Sequence, residues 1–243
     1  RSAADLLTTS APLLAAGAEV ITVPGDITSG EVQELLVEQT LRAFGSIDLL
    51  VNNAGVVAPT SYEGLAPEEI EKQLAVNLTA PLLLARRVLP GMLTRRRGHI
   101  VNVASLGGLV GAAWGEVYSA SKHGLVGFTR ALRASCRAAH AGVSASVVCP
   151  GFIDEVGMYA DHLRTYGSRA PITLGTSTPE AVVAAVLRAI ERDLPEVIVS
   201  GRPIRLLLAL SAVWPRAGEW LLQKLGSHGV FETIARARGS ARR

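Results

Sequence analysis

Gly98-His-Ile-Val-Asn-Val-Ala-Ser105 is an apolar run of strand length that stops at a serine, and the flexible loop Leu106-Gly-Gly108 follows at once. Working outward, β-rich apolar runs read as strands at Glu19–Val23, Ile47–Asn52, His99–Val103, Val143–Cys149 and Glu196–Ser200. Helical patterns fall between them, at Ser2–Ala16, Glu31–Phe44, Pro67–Thr94, Tyr118–Ala139 and Pro179–Asp193. Strands that alternate with helices predict a parallel sheet covered on both faces, with ligands at the carboxyl ends of its strands. Ser105 lies at such an end. Pro67 and Pro179 suit first-turn positions after Ala66 and Thr178, and Thr178 is a good N-cap. Pro81 falls inside the long third helix and is predicted to bend it.

Tyr118-Ser-Ala-Ser-Lys122 places a phenol and an ammonium one helical turn apart, on the same helix face. Free tyrosine titrates near pH ~10, so bringing its phenolate within reach of neutrality takes roughly 4 kcal/mol, which a neighbouring lysine plus a cationic ring can supply. Ser105 would then hold a carbonyl oxygen where that proton can reach it. The bland reading is an amphipathic helix with a half-buried phenol and a solvated amine. Asn77, in Val76-Asn-Leu-Thr-Ala-Pro81, is a poor helix former in mid-helix, a local inconsistency that hints at a special role.

In order along the chain stand Asp48-Leu-Leu-Val-Asn-Asn-Ala-Gly55, Asn77, Gly98–Ser105, Tyr118–Lys122 and Cys149-Pro-Gly151. This set resembles the short-chain dehydrogenase/reductase family in its shorter, single-domain form, from Arg1 to about Gly201. The resemblance implies an α/β, Rossmann-like, doubly wound parallel sheet in three α/β/α layers. It implies a carbonyl–alcohol oxidoreductase in which Tyr118 is general acid/base, Lys122 lowers its pKa and binds the nicotinamide ribose, Ser105 orients the substrate oxygen, and Asn77 completes a proton relay. Cofactor contacts are implied at Arg1, Asp26, Ile27, Asn52, Asn53, Ala54, Gly55, Tyr118, Lys122, Pro150, Gly151 and Ile153. Asp26 has a second reading as a turn or N-cap carboxylate. Asn52 and Asn53 have one as hydrogen-bonded ties between strands. A basic residue at Arg1 favours NADP, with NAD the alternative. No metal is implied.

Two features depart from the family pattern. The glycine-rich turn Thr-Gly-x-x-x-Gly-x-Gly does not occur, and the sheet is expected to lack the family's first two strands. Neighbouring strands sit ~4.8 Å apart, so their loss would open a slot of about 14 Å between Glu19–Val23 and Ile47–Asn52. The resemblance implies that roughly 35–40 residues precede Arg1. Glu155 stands where the family commonly has a threonine, and a carboxylate there cannot donate to a carboxamide. Both features favour the alternative of a non-catalytic dinucleotide-binding or scaffold protein; the intact Ser105, Tyr118, Lys122 and Asn77 favour the enzyme. An epimerase or dehydratase of the extended family would need a larger C-terminal substrate domain.

Composition agrees with a single substantial core: 243 residues, 49% hydrophobic and 19% charged. Cys136 and Cys149 read as buried thiols in a reducing compartment, and no apolar run reaches transmembrane length, so a cytoplasmic protein is expected. The expected substrate is a small carbonyl or alcohol with an apolar body, bound by Ser105, Trp114, Met158 and Tyr159, with His162 a surface or lid histidine. From Arg202 onward, eight basic residues face only Glu219 and Glu232, giving that segment a net charge of +6 in a chain of net +3. Residues 202–243 read as a separate extension of apolar helices edged by arginine. It would cover the cleft, join subunits or lie on a membrane; nucleic acid is not the expected partner. The surplus apolar positions Leu74, Val76, Leu78, Leu82, Leu83, Leu125, Phe128 and Leu132 suggest a homodimer or homotetramer held by the helix carrying Tyr118.

Overall fold

The computed structural model describes residues 3–226 and 229–241. The chain begins with helices α1 (Ala3–Ala15) and α2 (Gly30–Phe44), then enters strand β1 (Leu49–Asn52). Helices α3 (Pro67–Leu74) and α4 (Ala80–Arg95) lead to β2 (Gly98–Val103), and α5 (Glu116–Ala138) leads to β3 (Val143–Pro150). A short pair, β4 (Phe152–Ile153) and β5 (Thr176–Ser177), brackets α6 (Gly157–Tyr166). Helix α7 (Pro179–Glu191) and strand β6 (Glu196–Val199) complete the sheet, and α8 (Arg205–Val213), α9 (Pro215–Lys224) and α10 (Gly229–Ala241) follow.

The main sheet has the order β1-β2-β3-β6, parallel throughout, as expected from strands joined by helical crossovers. Successive side chains alternate between its faces. Ile100 and Ala145 pack with Val88 and Met92 of α4 and Cys136 of α5, while Val101 and Val148 pack with Ala185 and Ala189 of α7. This is the α/β/α sandwich that the alternation predicts. Both cysteines are buried, and burial pushes the Cys149 thiol up to about 12, which leaves it a packing residue at neutral pH.

Glu19–Val23 is the strand that does not form. Its β-branched run has the propensity, but among the described residues no strand pairs with it, and propensity without a partner does not hold a strand. No paired strand therefore walls the expected slot on that side, although Val23 and Gly25–Ile27 line a cavity. Instead β1 is the sheet's edge, with Leu49 and Val51 exposed.

The long third helix is broken where the sequence is inconsistent with helix. Residues Ala75–Thr79 form a π-turn, in which the Ala80 amide reaches back five residues to the Ala75 carbonyl. Pro81 then takes a first-turn position of α4, where its missing N–H costs little. At α7, Thr178 caps as expected, its hydroxyl accepting from the Ala181 amide at 3.3 Å.

Candidate active site

Ser105, Tyr118 and Lys122 meet at the carboxyl ends of β1, β2 and β3, on one wall of a cavity of about 1160 Å³. The loop after β2 is short enough to bring this about only because Gly108 lacks a side chain: a Cβ there would lie 2.7 Å from the Lys122 carbonyl oxygen. Ser105 opens that loop, its hydroxyl accepting from the Gly107 amide at 3.1 Å. Tyr118 projects from the first turns of α5 and is almost wholly buried. Burial raises its pKa, and a hydrogen bond with the Ser105 side chain opposes that rise without cancelling it.

Lys122 is also buried, and its ammonium donates to the Val103 carbonyl at 2.9 Å. It sits 5.9 Å from the centre of the Tyr118 ring. Desolvation lowers its pKa to about 8. The lowering expected for Tyr118 takes a cationic ring as well as Lys122, and the protein's own groups by themselves leave the Tyr118 pKa raised. Both groups are instead pushed toward their neutral forms by burial.

Asn77 lies beneath, fully buried in the π-turn. Its amide brackets Val56, accepting from the Val56 N–H and donating to the Val56 carbonyl, each at 2.8 Å, and it donates to the Ser121 hydroxyl at 3.1 Å. This ties the stretch after β1 to the helix that carries Lys122. Gly55 is where the three meet: a Cβ there would stand 3.4 Å from the Asn77 amide oxygen and 3.5 Å from the Lys122 nitrogen. Asn52 does not reach the cavity. It donates to the Asn102 side chain at 2.8 Å, and Asn102 donates to the Thr129 hydroxyl at 2.8 Å, so it ties the strands and α5 together.

The remaining cofactor candidates line the cavity: Asp26, Ile27, Asn53, Ala54, Gly55, Pro150, Gly151 and Ile153. Asp26 also closes a turn, accepting from the Thr28 amide at 2.9 Å and the Thr28 hydroxyl at 2.8 Å, bonds that lower its pKa. Both of its readings are thus accommodated. Arg1 lies outside the described residues. Met158, Tyr159 and His162 of α6 also line the cavity, and burial lowers the His162 pKa, keeping the ring neutral. Trp114 does not line it. Its backbone is left-handed (φ 58°), its amide bonds to Glu116, and its carbonyl accepts from Thr60. Glu155 is likewise on left-handed backbone (φ 71°), exposed and not among the lining residues.

The segment after Arg202 roofs the cavity. Ile204, Leu207 and Leu208 near and on α8, Leu222 of α9, and Val230 and Phe231 of α10 all line it. Phe231 stands edge-on to Tyr118, ring centres 6.2 Å apart. The Arg238 guanidinium pins α10 to α3 through Glu69 at 2.7 Å. Sequence reading found apolar helices here but could not see which way they fold back. Ser121 and Gln73 were also missed; the Gln73 side chain accepts from the Ala58 amide at 3.3 Å and supports the same loop as Asn77.

Such a site, a tyrosine–lysine pair at the carboxyl edge of a doubly wound parallel sheet, defines a class of oxidoreductases. The chain belongs to the short-chain dehydrogenase family, whose model matches residues 1–166. It is 37% identical over 231 residues to ketoacyl reductase HetN of Nostoc sp., across 93% of this chain and 78% of the relative. It is 43% identical over 128 residues to D-beta-hydroxybutyrate dehydrogenase of Cupriavidus necator, across 53% of this chain and 49% of the relative. Several curated relatives are thus matched over only about half their length. Among solved structures, it is similar to a short-chain dehydrogenase/reductase from Burkholderia phymatum in complex with NAD (TM-score 0.77, 28% identity, 88% of this chain and 82% of that one). It is also similar to a variant of actinorhodin polyketide ketoreductase with NADPH (TM-score 0.76, 32% identity, 83% and 84%).

Proposed function

We propose that this protein reduces a carbonyl to a secondary alcohol with NADPH, NADH being the alternative donor, on a substrate whose body is apolar and uncharged. The observation that carries this is the convergence of Ser105, Tyr118 and Lys122 on one wall of a single large cavity. The wall formed by Gly25–Ile27, Asn53–Val57 and Pro150–Ile153 suits an extended dinucleotide, because Gly25, Ala54, Gly55 and Gly151 let a ligand approach the backbone there. When bound, the nicotinamide supplies the hydride.

The chain's own residues supply geometry and the proton. Ser105 orients the carbonyl oxygen toward Tyr118. Tyr118, protonated at neutral pH because burial raises its pKa, donates to that oxygen as hydride arrives at carbon. Lys122, mostly cationic at pH 7, stabilises the tyrosinate left behind and holds the ribose hydroxyls. Asn77 has its amide fully engaged, so it acts as a positioning residue for the Val56 loop and α5. Substrate recognition follows from the lining of the roof, Val110, Leu208, Leu222, Val230 and Phe231, with Met158 and Tyr159.

Tyr118→Phe tests the reading. It should bind NADPH within about threefold of the parent while turnover of an apolar ketone falls by at least ~10²-fold, the usual worth of a positioned proton donor. Activity within tenfold of the parent would refute the role of Tyr118. Absence of NADPH and NADH binding by the parent would refute the cofactor.

A further inference from the structure

The hairpin of α8 and α9 has two apolar sides, and only one of them is used. Its inner side roofs the cavity through Leu207, Leu208 and Leu222. Its outer side carries Leu206, Leu210 and Val213, spaced as one helix stripe, with Trp214 at the bend and Trp220 on the second helix. These are among the most exposed large apolar residues described: Leu206 88%, Val213 86%, Trp214 65% and Trp220 60%. A Leu or Trp turned to water without a partner is unremarkable singly; a stripe of them on one hairpin marks a contact surface.

Charge selects what it contacts. Arg202, Arg205, Arg216 and Lys224 are all exposed around the stripe, against Glu219 as the one acidic residue between 202 and 226. Basic side chains flanking apolar and tryptophan residues match an anionic lipid surface, where indole sits at headgroup depth and cations meet phosphate. The hairpin is also built to act as one piece. Gly218 lets the helices touch, since a Cβ there would lie 2.4 Å from the Ser211 Cα, and the Thr173 hydroxyl holds the end of α9 by the Leu225 carbonyl at 2.6 Å. No described helix is long and apolar enough to cross a membrane, so the contact lies in the interface plane.

We infer that the outer face of the α8–α9 hairpin docks on anionic bilayers, with Leu206, Val213, Trp214 and Trp220 entering the headgroup region and Arg202, Arg205, Arg216 and Lys224 pairing with lipid phosphates. The docking is independent of the chemistry assigned to the cavity. Its place in the fold nonetheless sets the roof of an apolar site at lipid level.

Co-sedimentation of the full chain with vesicles of phosphatidylcholine alone, or with about one-third phosphatidylserine, tests it. The parent should bind the anionic vesicles at least tenfold more tightly, less so at high salt, with a blue shift in tryptophan emission. Leu206→Glu with Val213→Glu, at positions that line nothing, should cut that binding at least tenfold while turnover of a water-soluble ketone stays unchanged. Arg202→Glu with Arg205→Glu should abolish the preference for anionic lipid. Equal binding by parent and variants, or none to anionic vesicles at low salt, overturns the proposal. So would a Leu206/Val213 variant whose only change is a smaller sedimenting mass, which would make the face a contact between copies.

Discussion

Each end of the sheet buries a cation, and the two are treated in opposite ways. At the amino end, Arg133 of α5 makes five hydrogen bonds: to the Ser144 hydroxyl, the Ala145 carbonyl, both carboxylate oxygens of Asp193 and the Asp193 carbonyl, all within 3.0 Å. At the carboxyl end, Lys122 of the same helix has three donors and one acceptor, the Val103 carbonyl. At Asp193 burial raises the carboxyl pKa, but hydrogen bonds from Arg133 and Ser144 outweigh it and lower the value. The lysine is instead brought down to about 8 by burial. Burial of a charge is costly in both places, but only at the amino end is it offset by partners within the fold. The under-satisfied cation is the one that faces the cavity. A ligand that supplies acceptors would complete it.

The sharpest break between the two ends should come from making the same change at each. Lys122→Met removes a buried, poorly partnered charge, so it should cost at least ~10²-fold in turnover yet raise stability by roughly 1–3 kcal/mol at pH 7. The sign follows from linkage. With a folded pKa of about 8 against 10.5 unfolded, the unfolded chain holds more protons between those values, and the parent gains stability as pH rises through that window. The advantage of Lys122→Met should therefore shrink above pH 8 and vanish near the unfolded value. Denaturant melts of both proteins at pH 7 and 9.5 read this directly. A variant less stable than the parent at pH 7 would show that Lys122 is satisfied after all.

Arg133→Met should do the reverse. It removes five hydrogen bonds but leaves the Ser144 hydroxyl donating to Asp193 and Arg137 beside it, and since Asp193 is half exposed the cost should be about 2–4 kcal/mol, with turnover at low temperature within twofold of the parent. A tenfold fall in turnover at unchanged stability would mean that the amino end is coupled to the site.

The carboxyl end was legible in the sequence and the amino end was not, for a physical reason. Ser105, Tyr118 and Lys122 stand out because chemistry restricts which residues serve at which spacing, and Asn77 because asparagine disagrees with its helix. Arg133 follows every rule for an amphipathic helix and reads as solvated; only the fold brings Ser144 and Asp193 to it. The central strands were legible because their apolar runs are buried on both faces. Glu19–Val23 was misread because pairing is a property of neighbours. The tail's helices were visible as apolar runs, but their docking over Tyr118 rests on single contacts such as Phe231 that no periodicity encodes.

A smaller effect concerns α5 itself, whose buried face carries both cations and whose outer face is open. The surplus apolar surface expected for subunit contact is mostly used inside the subunit. Leu125 is fully buried, Leu78, Leu82 and Phe128 pack against the core, and Leu83 remains 41% exposed. What the outer face of α5 offers instead is close approach, with Gly127, Ala131 and Ala134 exposed and open space above Gly127. We therefore propose that the homodimer or homotetramer expected from the sequence meets on α5, with Leu83 at the rim of the contact. The roof helices lie on the cavity and do not supply this surface. Gly127→Arg should convert dimer to monomer in light scattering while leaving the melting temperature within a few degrees, because the change touches no core side chain. Removing residues 202–243 is the wrong way to ask, since it would also strip Phe231 from Tyr118. A parent chain that scatters as a monomer at micromolar concentration would leave the outer face of α5 turned to solvent and overturn the contact.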